Sequence, residues 1–435
     1  MDLYSQTNWA KNTYFKNKVL YPNNIDELKI ILSKKKTNIG LCGNLRSFGD
    51  TCVNKKNLIS LTKFPKKIHV DKKKSILNVS SNFLLVDILK LIIPMGFMIS
   101  VTPGSKYVTI GGMIANNVFG KNSYKNQLKS IIDEFEILMP SNKIIFCSRK
   151  KNKKIFDLTV GGFGLTGVIL SAKIKLKKIK NQFIEQKIYK FKNIHQFKKI
   201  ISKKSIFNVS WIDSHSLNKD EFKGLFYTGD YSKLNQKPEY FYYKNKKLGF
   251  WEEIFLSFYI KKYSFSKIIN TLFFAFKSKN QRITFDEFFY PQDKWLNFND
   301  CYKNGFFQIQ FLVEEEKFDR IINKISEFFK KFSIKSTFII IKKINEDGEY
   351  MNYFGSGFSI SMDFEKNSNF KIIKKFFNNL IFENSLKLNF SKDSIFKSEL
   401  LKYNREYKKY LKDIKSIDKK NVFKNEFSNR LKIKL

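Results

Sequence analysis

The sequence is poor in the residues that most polar catalysis relies on. It has three histidines, His69, His195 and His215, each far from the others, so no histidine triad or metal cluster can be read from spacing. Four cysteines, Cys42, Cys52, Cys147 and Cys301, form no C-x-x-C pair. That argues against zinc and disulfide frameworks, and makes a reducing cytosol the default with no metal expected. Arginine is scarce too, at only six of the 81 basic residues. A formal net charge of +42 would otherwise suggest nucleic acid or an anionic membrane. Bidentate reading of phosphates and guanines is arginine's work, however, and the lysines are scattered along the whole chain, so no nucleic-acid partner is expected. Long apolar runs are also missing. The most apolar stretch, residues 83–101, is interrupted by Asp87, Lys90, Pro94 and Gly96 and cannot span a bilayer. The first residues, MDLYSQTNWAKN, lack the apolar core of a signal peptide. A cytoplasmic protein is expected, with any membrane contact peripheral and on the inner face.

What is present suits two or three packed units. The chain has 435 residues, too many for one ordinary domain, and a 43% hydrophobic share that can fill sizeable cores. Asn24, with Glu27 three residues on, caps a run that carries Ile25, Leu28 and Leu32 on one face, which predicts a short helix. A second helix around Leu84, Ile88 and Leu91 should stop at Pro94 and Gly96. Alternating Val168, Leu170, Ala172, Ile174 and Leu176 predict a half-buried strand. Near residue 180 the composition turns aromatic and lysine-rich without glycine clusters, and a domain boundary is placed there. Residues 400–414 carry Leu400, Asn404, Tyr407, Leu411 and Ile414 at near-helical spacing.

Glycine is concentrated in three places. The first is GNLRSFGD, residues 43–50. The second runs from Pro103 and Gly104 through TIGG, residues 109–112, to Gly120, Lys121 and Asn122. The third is GGFGLTG, residues 161–167. Such segments let a backbone approach a ligand closely and present successive N–H groups, as a diphosphate requires. The third contains a literal G-x-G-x-x-G, but a strand pattern follows it where a dinucleotide fingerprint needs a helix, so the Rossmann reading fails.

The order GxxRSFGD, PG-x4-TIGGMIANNVFGKN, TVGGFGLTGVI and NFSKDS resembles the flavin domain of the vanillyl-alcohol-oxidase superfamily. Within it the chain is most similar to the decaprenylphosphoryl-ribose oxidase family, with SWID, FFYPQD, GFFQIQF and NRLKI as further points of likeness. The resemblance implies an α+β, two-domain PCMH-type FAD-binding fold. Residues 1–179 would bind FAD, 180–387 would form an antiparallel-sheet substrate domain, and 388–435 would return to the FAD domain. It implies cofactor contacts from Gly43, Asn44, Arg46, Ser47, Phe48 and Gly49; from Pro103, Gly104, Ser105, Val108, Gly111, Gly112, Ala115, Asn116, Gly120 and Asn122; and from Val168 and Ser391. Related alditol oxidases attach FAD through a histidine at the place of Arg46, so the flavin here should be non-covalent. The chain departs from the family at Phe48, usually Tyr, at Phe119, usually His, and at Ser361, which is Cys in mycobacterial members. The second departure puts a histidine-assisted proton step in doubt.

Oxidising an alcohol on a flavin requires hydride transfer to the ring and removal of the hydroxyl proton. With histidine scarce, Lys392 in the returning motif is the expected catalytic group. Phe119, Lys121, Gln308, Gln310, Lys342 and Ser361, with Lys392, are the expected substrate contacts. The resemblance points to a lipid-linked or free sugar, with oxidation at the 2-hydroxyl of a polyprenyl-phosphate-linked pentose, and to an NAD-dependent reductase acting in sequence. Two other readings stand beside it: an aldonolactone or alditol oxidase for soluble polyols, and a basic membrane- or nucleic-acid-binding protein without catalysis. Finally, Trp251, Phe255, Phe258, Phe265, Ile269, Leu272 and Phe276 fall at helical spacing among lysines, a pattern suited to an anionic membrane surface.

Overall fold

The structure is a computed structural model that describes residues 4–34, 38–122, 127–217, 219–242, 246–277, 280–403 and 406–433. The fold is α+β. Two sheets stand at the glycine-rich end. In one, Tyr4–Thr7, Tyr14–Leu20, Asn57–Ser60 and Ile39–Cys42 lie in that order, the last three mutually parallel. The helix Ile25–Lys34 covers it, started as expected by Asn24 Oδ1 accepting from Glu27 N at 2.9 Å, and buries Leu28 and Leu32. In the other sheet, Ile68–Asp71, Ile76–Ser80, Val168–Lys175, Ile132–Leu138 and Ile144–Ser148 are antiparallel throughout. The helix Leu85–Ile92 packs here.

The strand Val168–Lys175 differs from its half-buried expectation. Val168, Ile169 and Leu170 are all buried, because Val168 and Leu170 join the core under the first sheet while Ile169 joins the core under Leu85–Ile92. Alternation with a solvent face begins only at Ala172. The strand directly follows GGFGLTG, so no helix begins there.

The aromatic middle of the chain forms an eight-stranded antiparallel sheet. Its order is Gln281–Thr284, Phe183–Phe191, Gly224–Tyr231, Phe207–Ile212, Ile339–Glu346, Gly355–Glu365, Phe306–Val313 and Lys387–Leu388. One face is apolar and is backed by the helices Ile194–Ile201, Phe318–Phe332 and Phe370–Glu383. Successive side chains on a strand point to opposite faces. Ile309, Phe311, Ile341, Ile360 and Met362 therefore fill that core, and Gln308, Gln310, Lys342, Ser359 and Ser361 share the other face.

Two further segments frame the site. Residues 251–276, expected as one helical run, belong to a pair of helices: Phe250–Lys261 and Tyr263–Phe276, broken by extended backbone at Lys262. Residues 400–414 are likewise divided, into a 3-10 turn Ser398–Tyr403 and a helix Tyr407–Ile417; Asn404 lies outside the described residues. Beyond them the chain lies along Ile39, whose N–H donates to Val422 O at 2.8 Å and whose carbonyl accepts from Lys424 N at 2.9 Å. The same segment sends Tyr410, Ile414 and Phe427 into the core of the large sheet, so it contacts both parts of the molecule.

Candidate active site

Between the glycine loops and the polar face of the eight-stranded sheet lies a cavity of about 1030 Å³. The first wall is largely backbone. Gly43, Asn44, Arg46, Ser47 and Phe48, then Pro103, Gly104, Ser105, Val108, Gly111, Gly112, Ala115, Asn116 and Gly120, with Val168 and Ser391, all border the space. The loops sit so close together that side chains would not fit: a Cβ on Gly120 would lie 1.9 Å from Thr102 O. Gly104 is the opposite case, since a Cβ there would meet no protein atom within 4 Å and would only intrude on the cavity.

Gly49 and Asn122 stand off this wall. Gly49 is where the first loop touches the returning segment, and a Cβ on it would come 2.4 Å from Asp393 O. Asn122 instead turns inward and donates from Nδ2 to Ser100 O at 2.7 Å. The contact at Gly49 is locked by Arg430, which donates to Asp50 at 2.8 and 2.9 Å and to Asp393 at 2.7 Å. Burial alone would lower the Arg430 guanidinium, but Asp393 and Asp50 outweigh it and hold the charge firmly.

The second wall is made of side chains. Gln308 Nε2 donates to Asp363 Oδ1 at 2.6 Å, and Gln310 Nε2 donates to Ser359 Oγ at 2.9 Å. Asn389 fixes Gln310 by donating from Nδ2 to Gln310 Oε1 at 2.9 Å. Tyr353 donates to Ser359 Oγ at 3.0 Å and stacks on Phe119 at 5.7 Å. Three lysines converge on this side. Lys121 donates to Phe288 O, Lys342 donates to Gly120 O and faces the Phe119 ring, and the Lys392 ammonium lies 4.1 Å from the Phe48 ring centre.

Their environment makes all three lysines unusually easy to deprotonate. Burial, then the charge of Lys342, brings Lys121 down to about 7. Burial, then Lys392, brings Lys342 down to about 7. Burial brings Lys392 down to about 8, against the pull of Asp363, whose own carboxyl burial raises to about 6. Cations brought together out of water repel one another and lose hydration, and both effects favour the neutral amine.

The structure thus places Phe119, Lys121, Gln308, Gln310, Lys342, Ser361 and Lys392 around one space, facing the glycine wall. Sequence reasoning did not single out Tyr353, Ser359, Asp363 or Asn389. A signal for part of that set was present: in SISMD, Ser359, Ser361 and Asp363 alternate with apolar residues, the mark of a strand with one polar face. It also passed over Cys42 and Cys52, which border the cavity and whose thiols burial pushes up to about 12, so neither is a nucleophilic thiolate.

The residues on the first wall fit a flavin dinucleotide. They offer a long backbone-lined trough and the open space over Gly104. Two buried carbonyl oxygens there, Asn82 Oδ1 and Asn116 Oδ1, have no hydrogen-bond partner among the described residues, and a bound polar group would satisfy them. Arg46 borders the trough with its guanidinium 4.0 Å from the Trp9 ring centre, where a covalently linked relative would present histidine. None of the three histidines borders the cavity.

Comparison with known proteins agrees with this geometry. Residues 17–148 match the family described as FAD binding domain. Over 292 residues the chain is 26% identical to decaprenylphosphoryl-β-D-ribose oxidase of Mycolicibacterium smegmatis, covering 62% of each protein. It is 25% identical to L-gulonolactone oxidase of Scyliorhinus torazame over 179 residues, 40% of each. It is 30% identical to cytokinin dehydrogenase 2 of Arabidopsis thaliana over 108 residues, 25% of this chain and 22% of the relative. Each match spans less than two thirds of the relative's own length. The cofactor is FAD: the chain carries an FAD binding domain, and its homologues lie in the PCMH/VAO-type FAD oxidase family.

Proposed function

We propose that the protein is an FAD-dependent oxidoreductase that oxidises a sugar hydroxyl, the 2-hydroxyl of a polyprenyl-phosphate-linked pentose. The observation that carries this reading is the polar wall: three easily deprotonated lysines and two anchored glutamines on the face opposite the flavin trough. When bound, FAD supplies the ring that accepts hydride. The chain supplies the rest. Lys392, as its neutral amine, takes the hydroxyl proton. The amides of Gln308 and Gln310, held by Asp363, Ser359 and Asn389, orient sugar hydroxyls. A substrate phosphate bound beside Lys121 and Lys342 would draw both amines back to their charged forms. Phe119 has no proton to give, so the lysines carry the proton chemistry alone.

The relatives named L-gulonolactone oxidase favour a second reading, a soluble aldonolactone or alditol substrate. Lys121 and Lys342 speak against it, since a neutral polyol, unlike a phosphate, would leave these buried amines without a charge to meet. In the first reading the product is a ketone, and an NAD-dependent reductase acting next would complete an epimerisation. The protein would work at the cytoplasmic face of a membrane.

Anaerobic mixing of the yellow holoprotein with a panel of sugars tests the reading. Bleaching by a detergent-dispersed polyprenyl-phosphate pentose, with little by free polyols, supports it. Bleaching by polyols alone transfers the assignment to the second reading. Acid precipitation of the holoprotein should leave the yellow colour in the supernatant, because Arg46 cannot form the histidine link; colour in the pellet would refute a non-covalent flavin.

A further inference from the structure

We propose that the paired helices Phe250–Lys261 and Tyr263–Phe276 are a docking surface for an anionic lipid bilayer, which brings the cavity within one helix layer of the membrane plane. The choice of substrate source rests on the lipid-linked reading above, but the surface itself is argued from the geometry of this chain.

The second helix is turned inside out. Its buried residues are Ser266 and Asn270, while Ile268, Leu272 and Phe276 on its outer side are 58%, 47% and 79% exposed. The polar residues face inward because the rest of the protein offers them partners. Asn270 Nδ2 donates to Asp213 Oδ1 at 2.7 Å, and Asn270 Oδ1 accepts from Tyr259 OH at 2.8 Å. Ser266 Oγ meets His215 Nε2 at 2.9 Å and accepts from Lys335 Nζ at 2.8 Å. A helix on a protein surface in water has the reverse order, apolar stripe inward and polar face outward. The first helix adds to the exposed apolar surface: Ile260 is its one buried residue among those described, and Trp251 and Phe250 are 78% and 70% exposed. Phe255 packs edge-on against Phe265 at 5.3 Å and joins the two helices into one apolar plate. Contiguous exposed apolar surface of this kind marks an interaction site.

Charge selects the partner. Residues 246–277 hold six lysines (246, 247, 261, 262, 267 and 277) and two glutamates, on a chain whose net charge is already +42. A second copy of the chain would bring like charge against like charge. An anionic bilayer takes the aromatic plate into its interface and meets the lysines with headgroup phosphates. The helices have 12 and 14 residues, too short to cross, so they lie in the interface. The inner side of the same pair supplies Leu256, Tyr259, Ile260 and Ile269 to the cavity wall, so a surface bound by the plate lies one helix layer from the cavity.

The test is flotation of the holoprotein with phosphatidylglycerol–phosphatidylcholine vesicles and with phosphatidylcholine vesicles alone. Binding should require phosphatidylglycerol and fall steeply with salt. Trp251→Ser with Phe276→Ser, two side chains that do not touch the cavity, should cut vesicle partitioning by about tenfold or more, with bound flavin unchanged. Lys261→Gln with Lys262→Gln should cost roughly fivefold per lysine. In detergent the Trp251/Phe276 double variant should reduce its flavin with lipid-linked pentose at the wild-type rate, and with the same substrate in vesicles it should be slow. A holoprotein that ignores phosphatidylglycerol overturns the docking surface, whatever the detergent assay shows. So does a wild-type dimer that the double variant converts to monomer without any vesicle binding, since the plate is then an interface between copies. Vesicle binding without reduction by any lipid-linked sugar upholds the surface and overturns the substrate reading instead.

Discussion

The two walls of the cavity are built from different materials. The flavin wall is backbone: loops held so tightly that a methyl group on Gly120 would strike a carbonyl. The opposite wall is side chain: amides, hydroxyls and the Lys342 ammonium standing on one face of a large sheet, with Lys121 and Lys392 reaching in from neighbouring loops. Backbone recognition needs glycine at fixed places in a contiguous stretch, whereas side-chain recognition needs only polar residues at alternate positions on strands far apart in the chain. The first kind of wall binds something constant, and the second can be re-tuned one residue at a time.

If that division holds, substitutions on each wall should separate chemistry from cofactor retention. Lys392→Ala should show the largest effect, a loss of about a hundred- to ten-thousand-fold in the rate of flavin reduction by substrate, with flavin content per chain unchanged. The sign with pH follows from its amine being brought down to about 8: the neutral base is more abundant above that value. The wild-type rate should therefore climb as pH rises through about 8, and the variant should show no such limb. Equal rates in variant and wild type would make Lys392 a bystander.

Arg430→Met attacks the join between the two walls. It leaves Asp50 and Asp393 facing each other unpaired, and breaking such a buried pair costs about 3–5 kcal/mol. Burial already raises the Asp50 carboxyl, and without the guanidinium it should bind a proton more readily in the folded than in the unfolded chain. The variant's thermal midpoint should then recover in part as pH is lowered. A midpoint that stays put at neutral pH would show that the join is dispensable.

Gly120→Ala should cost about 1–3 kcal/mol through the clash with Thr102 O, and should lower flavin occupancy without changing the reduction rate of the molecules that remain yellow. Normal occupancy would mean that the loop has room that its geometry does not show. Phe119→His is the mildest of the four. If the lysines manage the proton, the rate should change by less than about tenfold, well short of what a new general base supplies. A hundredfold gain would restore the histidine to the mechanism.

The same division explains what could be read in advance. Residues 43–50, 103–122 and 161–167 stood out because unusual backbone needs an unusual composition, and Asn24 with Glu27 announced a helix because capping is local. Tyr353, Ser359, Asp363 and Asn389 did not stand out, because their meeting depends on the pairing of Phe306–Val313 with Gly355–Glu365 and Lys387–Leu388. Lys392 was singled out through its motif and not through chemistry; among so many lysines, burial against its neighbours sets it apart. The helical spacing of residues 251–276 was legible, while the break at Lys262 and the inward turn of Ser266 and Asn270 were not, since both answer to partners elsewhere in the chain.

The clamp of Arg430 on Asp50 and Asp393 also sets an order of events during synthesis. The loop that opens the flavin trough leaves the ribosome well before the side chain that fastens it, which is encoded 380 positions later. Contacts so far apart in sequence form late and slowly. The large sheet waits as well, since its last strand is Lys387–Leu388, so sheet and trough are both completed only once residues 387–430 have been made. Flavin loading is then a step that follows the synthesis of Arg430, and cells starved of riboflavin should accumulate a folded, colourless protein that can be turned yellow by adding FAD.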